Sequence, residues 1–277
     1  MGQLTDTAPD ALRVQIECYR RMPVARKWLI MRDAYRTARA LHASGARLRI
    51  PGATPAMIQA DWRTLTLGRL WPLHAPEMPP VDPLALDNLP IIREVMAAFR
   101  RLSVPCALGG SWATAIQGEP RMTQDADLSA EPFLGQSAAF VQSFGPDYYV
   151  SLPAVQDAIR HRSSFNLIHL PTAFKVDVFV RKDRPFDQSV LQRRIAVPAP
   201  DVPGETIDVV SPEDIILLKL EWYRLGGEMS DRQWGDVLGV LRVQAGRLDD
   251  AYLDRWAADL GVSDLLAKAR AEAHIAD

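Results

Sequence analysis

The sequence predicts an α+β fold: a sheet with flanking helices, preceded by an N-terminal helical module and followed by a C-terminal helical domain. Three observations carry this. A short apolar run, Val104 to Leu108, leads into a Gly109-Gly110 turn, a short helix and a second extended segment at Asp125 to Leu128. Two alternating runs, 163–170 and 174–181, joined by Pro171-Thr172, have the form of a β-hairpin. Helix start and stop signals cluster at both ends of the chain, with a proline-dense stretch at 71–90 after the first cluster.

With 277 residues, 48% hydrophobic and 24% charged, one large or two smaller globular domains are expected. No run approaches the ~18 uninterrupted apolar residues of a membrane span, so no membrane partner is expected. The opening MGQLTDTAPDALR lacks a basic n-region and an apolar h-region, so a signal peptide is not expected and the cytoplasm is the default. Cys18 and Cys106 suggest neither a disulfide framework nor a zinc site. Charge is uneven. Residues 1–75 hold eleven Arg and one Lys against five acids, net +7, and the remainder holds 20 basic and 29 acidic residues, net −9. Such asymmetry can mark a polyanion-binding arm. The blander reading of these arginines is a solvated face with internal ion pairs.

Residues 1–75 read as a basic helical module. Thr7 and Asp10 have the spacing of an N-cap and N3 pair, with Pro9 in the first turn, so a helix is expected over about 8–21. Met22-Pro23 breaks it. A second helix is expected from Val24 to Ser44, stopping at Gly45. Thr54-Pro55 is another N-cap and N1 pair, opening a third helix to about Leu67. Pro72, Pro76, Pro79, Pro80, Pro83 and Pro90 exclude helix and central strand, which places a linker at 76–90. An amphipathic helix over 91–102, the 104–128 unit, helix 134–144, strand 148–151, helix 153–160 and the hairpin fill a domain at 91–205. Ser211-Pro212-Glu213-Asp214 opens a helix to about Arg224, and Gly226-Gly227 ends it. Helices from Asp231, over about 248–260 and over 262–273 complete a domain at 206–277.

The chemistry concentrates around the glycine turn. Two glycines let the backbone approach a ligand closely. Ser111 opens a helix to about Gly118, and a hydroxyl with free N–H groups at a helix start can hold a phosphate. In an extended segment Asp125 and Asp127 point to one face. Adjacent carboxylates repel unless a cation lies between them, and Mg²⁺ takes oxygen ligands. In the run 174–181, Lys175, Asp177 and Phe179 face away from Phe174, Val176, Val178 and Val180. A lone Asp among valines needs a reason, because an unpaired buried charge is costly. Singly these features are bland. A Gly-Gly is usually only a turn, a D-x-D is usually a solvated strand end, and Asp177 could face solvent.

Order and spacing together are stronger. The stretch resembles the DNA polymerase β-like nucleotidyltransferase superfamily, in the variant of its AbiEii and MenT-like branch, which includes toxins of toxin–antitoxin systems. Gly109, Gly110, Ala113, Gly118, Arg121, Thr123, Asp125 and Asp127 match G-G-x-x-A…G-x-x-R-x-T-x-D-x-D. Lys219 and Asp236 match a later helix Lys and R-x-x-x-D, although a lone helix Lys more often pairs on the surface, here with Glu221 or Asp214. The resemblance spans about residues 100–240; residues 1–75 resemble only an uncharacterised helical module.

The resemblance implies a mixed sheet with helices on one face and a third carboxylate at Asp177. It implies transfer of NMP from an NTP to an acceptor hydroxyl, with release of pyrophosphate. Asp125, Asp127 and Asp177 would be catalytic and would bind Mg²⁺ (or Mn²⁺), and Asp177 would take the acceptor proton. Gly109, Gly110, Ser111, Arg121, Thr123, Lys219 and Asp236 would contact the nucleotide. Three readings compete: addition of nucleotides to an RNA such as tRNA, nucleotidylylation of a small molecule (an antibiotic) or a protein, and a non-catalytic regulatory relative. The complete triad argues against the last. The basic residues 1–75 tilt toward RNA, and that toxin-like reading adds a candidate antitoxin partner.

Overall fold

The computed structural model describes residues 8–71, 79, 81–82 and 86–273. Thr7 and most of the expected linker lie outside the described residues. In chain order the elements begin with α1 (Pro9–Arg21), α2 (Val24–Arg49), α3 (Pro55–Leu67), α4 (Leu89–Arg101), β1 (Cys106–Leu108), α5 (Gly110–Gln117) and β2 (Asp125–Ala130). Next come α6 (Ser137–Gln142), β3 (Tyr148–Val150), α7 (Leu152–His161), β4 (Ser164–His169), β5 (Phe174–Val180), α8 (Pro185–Gln192), β6 (Ile195–Pro198) and β7 (Thr206–Val209). The chain closes with α9 (Pro212–Leu225), α10 (Asp231–Val243), α11 (Asp250–Asp259) and α12 (Ser263–Ala273).

Caps set several helix starts where the sequence places them. The Thr54 hydroxyl accepts from the Met57 N–H and the Ser211 hydroxyl from the Asp214 N–H, each with a proline in the first turn. Ala8 precedes α1 and makes no side-chain cap. Helix α2 runs through Gly45 to Arg49 instead of stopping at Ser44. There Ala43 and Ala46 pack with Ile58 of α3, and this burial outweighs the ~1 kcal/mol that glycine costs inside a helix. Pro90, expected in the linker, lies in the first turn of α4, where its missing N–H costs no hydrogen bond. The expected helix 134–144 divides into a 3₁₀ turn at Leu134–Gln136 and α6.

The chain forms two compact units. One holds residues 29–109 and 121–192. Its strands lie in the order β3-β4-β5-β2-β1. Neighbours are antiparallel except β2 and β5, which run parallel, so the sheet is mixed. One face buries Ala126 and Leu128 of β2, Leu167 of β4, and Val176 and Val178 of β5. Helix α4 packs on β1, and α7 on β4 and β5. Phe99, Phe133 and Phe140 bring their rings within 4.5 to 5.3 Å of one another. The opposite face carries the three aspartates. Ile168, in register with Lys175 on that face, joins Leu170 and Ala173 in a core cluster with Tyr35 of α2 and Trp62 of α3. Helices therefore flank both faces rather than one, because the hairpin end of the second face is apolar too.

That packing also spends positive charge. Arg36 donates to the Leu86 carbonyl. The buried Arg39 guanidinium lies 4.7 Å from the Trp62 ring centroid, and that of Arg63 lies 4.7 Å from Trp71. His42 Nε2 lies 2.9 Å from Asp61. These side chains follow the internal-pairing reading of the basic residues.

The other unit holds residues up to 28, 110–120 and from 193 onward. It contains the antiparallel β6–β7 hairpin and α9 to α12, with α10 packed on α1, α5, α9 and α12. The buried Lys27 donates to the carbonyls of Ile116 and Gly118, each at 2.9 Å. Its ammonium thus satisfies orphan acceptors at the end of α5, where a cation is favoured. The segment 182–210, for which the sequence pattern predicts no element, contributes α8, β6 and β7. No helix of the described residues is long and apolar enough to cross a membrane.

Candidate active site

Strand β2 alternates: Ala126, Leu128 and Ala130 are buried, while Asp125, Asp127 and Ser129 stand partly exposed on the other side. Strand β5 alternates the same way, with Lys175 and Asp177 between buried neighbours. Parallel pairing places Asp125 beside Lys175 and Asp127 beside Asp177. Because side chains at paired positions share a face and strands lie ~4.8 Å apart, the three aspartates form one group. On the far side of β5, Asn166 of β4 stands in register with Asp177.

The neighbouring chain holds this group in place. The buried Thr123 hydroxyl lies 3.2 Å from the Asp125 carbonyl and 3.3 Å from its Oδ1, which orients the carboxylate. The Gly109 N–H donates to the Asp127 carbonyl at 2.8 Å, so the glycine turn leaves β1 alongside Asp127. Arg121 Nη1 donates to the Met122 carbonyl at 3.2 Å.

Lys175, which sequence reasoning does not nominate, belongs to the same group. Its Nζ forms a tight ion pair with Asp177 Oδ2 and lies 3.8 Å from Asp125 Oδ2. The signal is present in the alternation, which puts Lys175 on the face of Asp177. Burial pushes the Asp177 carboxyl above the ordinary carboxylate range; the Lys175 ammonium opposes this and the Asp125 charge adds to it. Among the described residues no group of three or more His, Cys, Asp or Glu side chains is disposed to hold a metal ion. The carboxylates share a face, but the ammonium stands among them.

The remaining nominated residues fall in the other unit. Gly110 opens α5 at φ +50°, a conformation that strains any residue with a Cβ, and Ser111 follows it. The Thr114 hydroxyl donates to the Gly110 carbonyl at 2.9 Å. Lys219 on α9 and Asp236 on α10 come together as a buried ion pair at 2.7 Å, and Lys219 also donates to Gln233 Oε1 at 3.0 Å. Lys219 thus has a buried acid as a partner. Asp214 is instead engaged by the hydroxyls of Ser211, at 2.7 Å, and Tyr252, at 2.6 Å.

No protein-family model matches the chain, and neither does any curated protein. Among solved structures it is similar to the antibiotic-resistance factor ANT(2'')-Ia, with 14% identity over 68% of this chain and 98% of that one, at a TM-score of 0.38. It is also similar to an antigenic nucleotidyltransferase-like protein from Paracoccidioides brasiliensis, with 20% identity over 66% of this chain and 92% of that one, at a TM-score of 0.39. At such low TM-scores these likenesses assign no activity to the chain.

Proposed function

We propose that the chain is a nucleotidyltransferase that moves NMP from an NTP to an acceptor hydroxyl and releases pyrophosphate. The observation that supports this is the pairing of Asp127 with Asp177 on parallel neighbours, with Asp125 on the same face of β2. Three carboxylates are hard oxygen donors, and the chemistry of this donor set suits Mg²⁺ or Mn²⁺. Asp125, Asp127 and Asp177 would hold the ion, which supplies charge neutralisation to the phosphates and acidity to the acceptor hydroxyl.

The chain's own residues would do the rest. Asp177 would receive the acceptor proton. Thr123 keeps Asp125 aimed. The N–H groups of Gly110 and Ser111, at the start of α5, would donate to phosphate oxygens. Arg121 would offset phosphate charge. Lys219 is held in its pair with Asp236, within the other unit.

Two acceptor classes follow. The net +7 of residues 1–75 favours an RNA such as tRNA, and an antitoxin partner belongs to that reading alone. The internal engagement of Arg36, Arg39 and Arg63 favours the second class, a small hydroxyl-bearing molecule such as an antibiotic. The test is incubation of the pure protein with each labelled NTP and Mg²⁺, with total RNA in one arm and hydroxylated antibiotics in the other. Label on RNA or on a small molecule names the class. Absence of both transfer and pyrophosphate release across all four nucleotides and both acceptor sets would count against the reading.

A further inference from the structure

We propose that Lys175 is the built-in counter-ion of the aspartate group, standing where a divalent cation would bind and leaving only when one binds with nucleotide. The inference rests on the proposed role of the aspartates as a cation site.

The placement comes from the strand. Lys175 is two residues before Asp177 on one face of β5 and in parallel register with Asp125 of β2. Its ammonium therefore lies between carboxylates of two strands, paired with Asp177 and 3.8 Å from Asp125. Both Lys175 and Asp177 side chains are only 19% exposed, so the pair is screened far less than a surface pair. Without a cation, three carboxylates on one face would repel one another. The ladder fixes the backbone at Lys175, but its four-carbon stem is flexible, and a lysine ammonium is a compact point charge. Departure therefore needs only side-chain rotation.

The consequence is a coupling. A divalent ion arriving alone must break a half-buried ion pair to reach the carboxylates. An ion arriving with a triphosphate brings negative charge that can receive the displaced ammonium. Lys175 thus acts as a positioning residue that weakens binding of the free metal and makes metal and NTP bind cooperatively, each raising the affinity of the other by the same factor.

The test is titration of Mn²⁺ into the full chain, following free Mn²⁺ by electron paramagnetic resonance, with and without a non-hydrolysable NTP analogue. Lys175→Met and Lys175→Gln are compared with wild type, and circular dichroism reports that each variant folds; Gln keeps much of the side-chain length if Met perturbs packing. Both variants should bind Mn²⁺ alone about tenfold or more tighter than wild type, as expected for release of a half-buried ion pair. The enhancement by the analogue should shrink correspondingly. Asp127→Asn separates the two levels of the argument. If it abolishes Mn²⁺ binding while both Lys175 variants bind no tighter than wild type, the Lys175 proposal is wrong and the cation site stands. If it leaves Mn²⁺ binding unchanged, or if wild type and the Lys175 variants bind no Mn²⁺ in either condition, the aspartates are not a cation site and both ideas fall.

Discussion

Gly118→Ala probes a contact that leaves no room for a side chain. Gly118 follows α5 and lies against α10. A Cβ there would stand 2.9 Å from the Val240 nitrogen, 3.0 Å from the Gly239 carbonyl carbon and 3.1 Å from the Thr114 oxygen. All three are backbone atoms, so none can rotate away. Ordinary carbon contacts begin near ~3.5 Å, and the segments must part by about half an ångström. The Gly118 N–H donates to the Thr114 carbonyl at 2.7 Å and its carbonyl accepts from Lys27, so a shift also disturbs hydrogen bonds. Overpacking of this kind costs ~1–3 kcal/mol, and the lower chain entropy of unfolded Ala returns ~0.4–1 kcal/mol of that. The net loss is up to ~2.6 kcal/mol, and at about 2–4 °C per kcal/mol the melting temperature should fall by up to ~10 °C, below the controls, which gain the entropy without the clash. Thermal unfolding by circular dichroism reads this directly. Gly135→Ala and Gly145→Ala are the controls, because nothing lies within 4 Å of a Cβ at either position. A Gly118→Ala protein that melts with or above the controls would refute the argument.

Three further outcomes are expected. Burial lowers the Lys27 pKa from 10.5 to about 8, so between these values the folded chain has shed a proton that the unfolded chain keeps. Stability should therefore rise from about pH 8 toward about pH 10.5, by up to ~3 kcal/mol, and fall back as pH drops through about 8. Urea midpoints at about pH 7.5 and about pH 10 should show this rise in wild type but not in Lys27→Met, and equal profiles would be evidence against it. Lys219→Met leaves Asp236 buried without its ammonium and should cost ~3–5 kcal/mol, most of it recovered on adding Asp236→Leu; a loss under about 1 kcal/mol contradicts the buried pair. Asp127→Asn should eliminate label transfer with unchanged far-UV circular dichroism, and wild-type turnover in that variant would sink the assignment of the aspartates.

Local physics made much of this legible in the sequence. Thr54-Pro55 and Ser211-Pro212 announce helix starts because a hydroxyl cap and a proline solve the same problem of unpaired N–H groups. Asp177 stands out because an acid among valines is costly unless one strand face is polar. Long-range packing hid the rest. Gly45 has the look of a helix stop, yet Ala43 and Ala46 buried against α3 carry the helix past it. The match of Gly118 to a family pattern says nothing of its cause, which is a backbone from α10 more than a hundred residues away. Lys175 shares the face of Asp177 in the alternation, but its closeness to Asp125 depends on a register between strands that no local pattern specifies. Residues 182–210 mix prolines with short apolar runs, too irregular to show the hairpin they form.

The parallel pairing of β2 with β5 bears on how the protein folds. Asp127 and Asp177 are fifty positions apart in the chain, and the strands between them are joined through antiparallel neighbours and helices. A parallel contact of this span closes a long loop before it returns any energy, which makes it slow relative to the β4–β5 hairpin. Asp125 and Asp127 are therefore expected to meet their third carboxylate only when the crossover docks. The strand that delivers Asp177 also delivers Lys175, so the chain never has to bring like charges together without a cation. Substitutions at Lys175 should accordingly slow refolding as well as change ion binding, whereas changes confined to the antiparallel hairpin at β6 and β7 should leave that late step untouched.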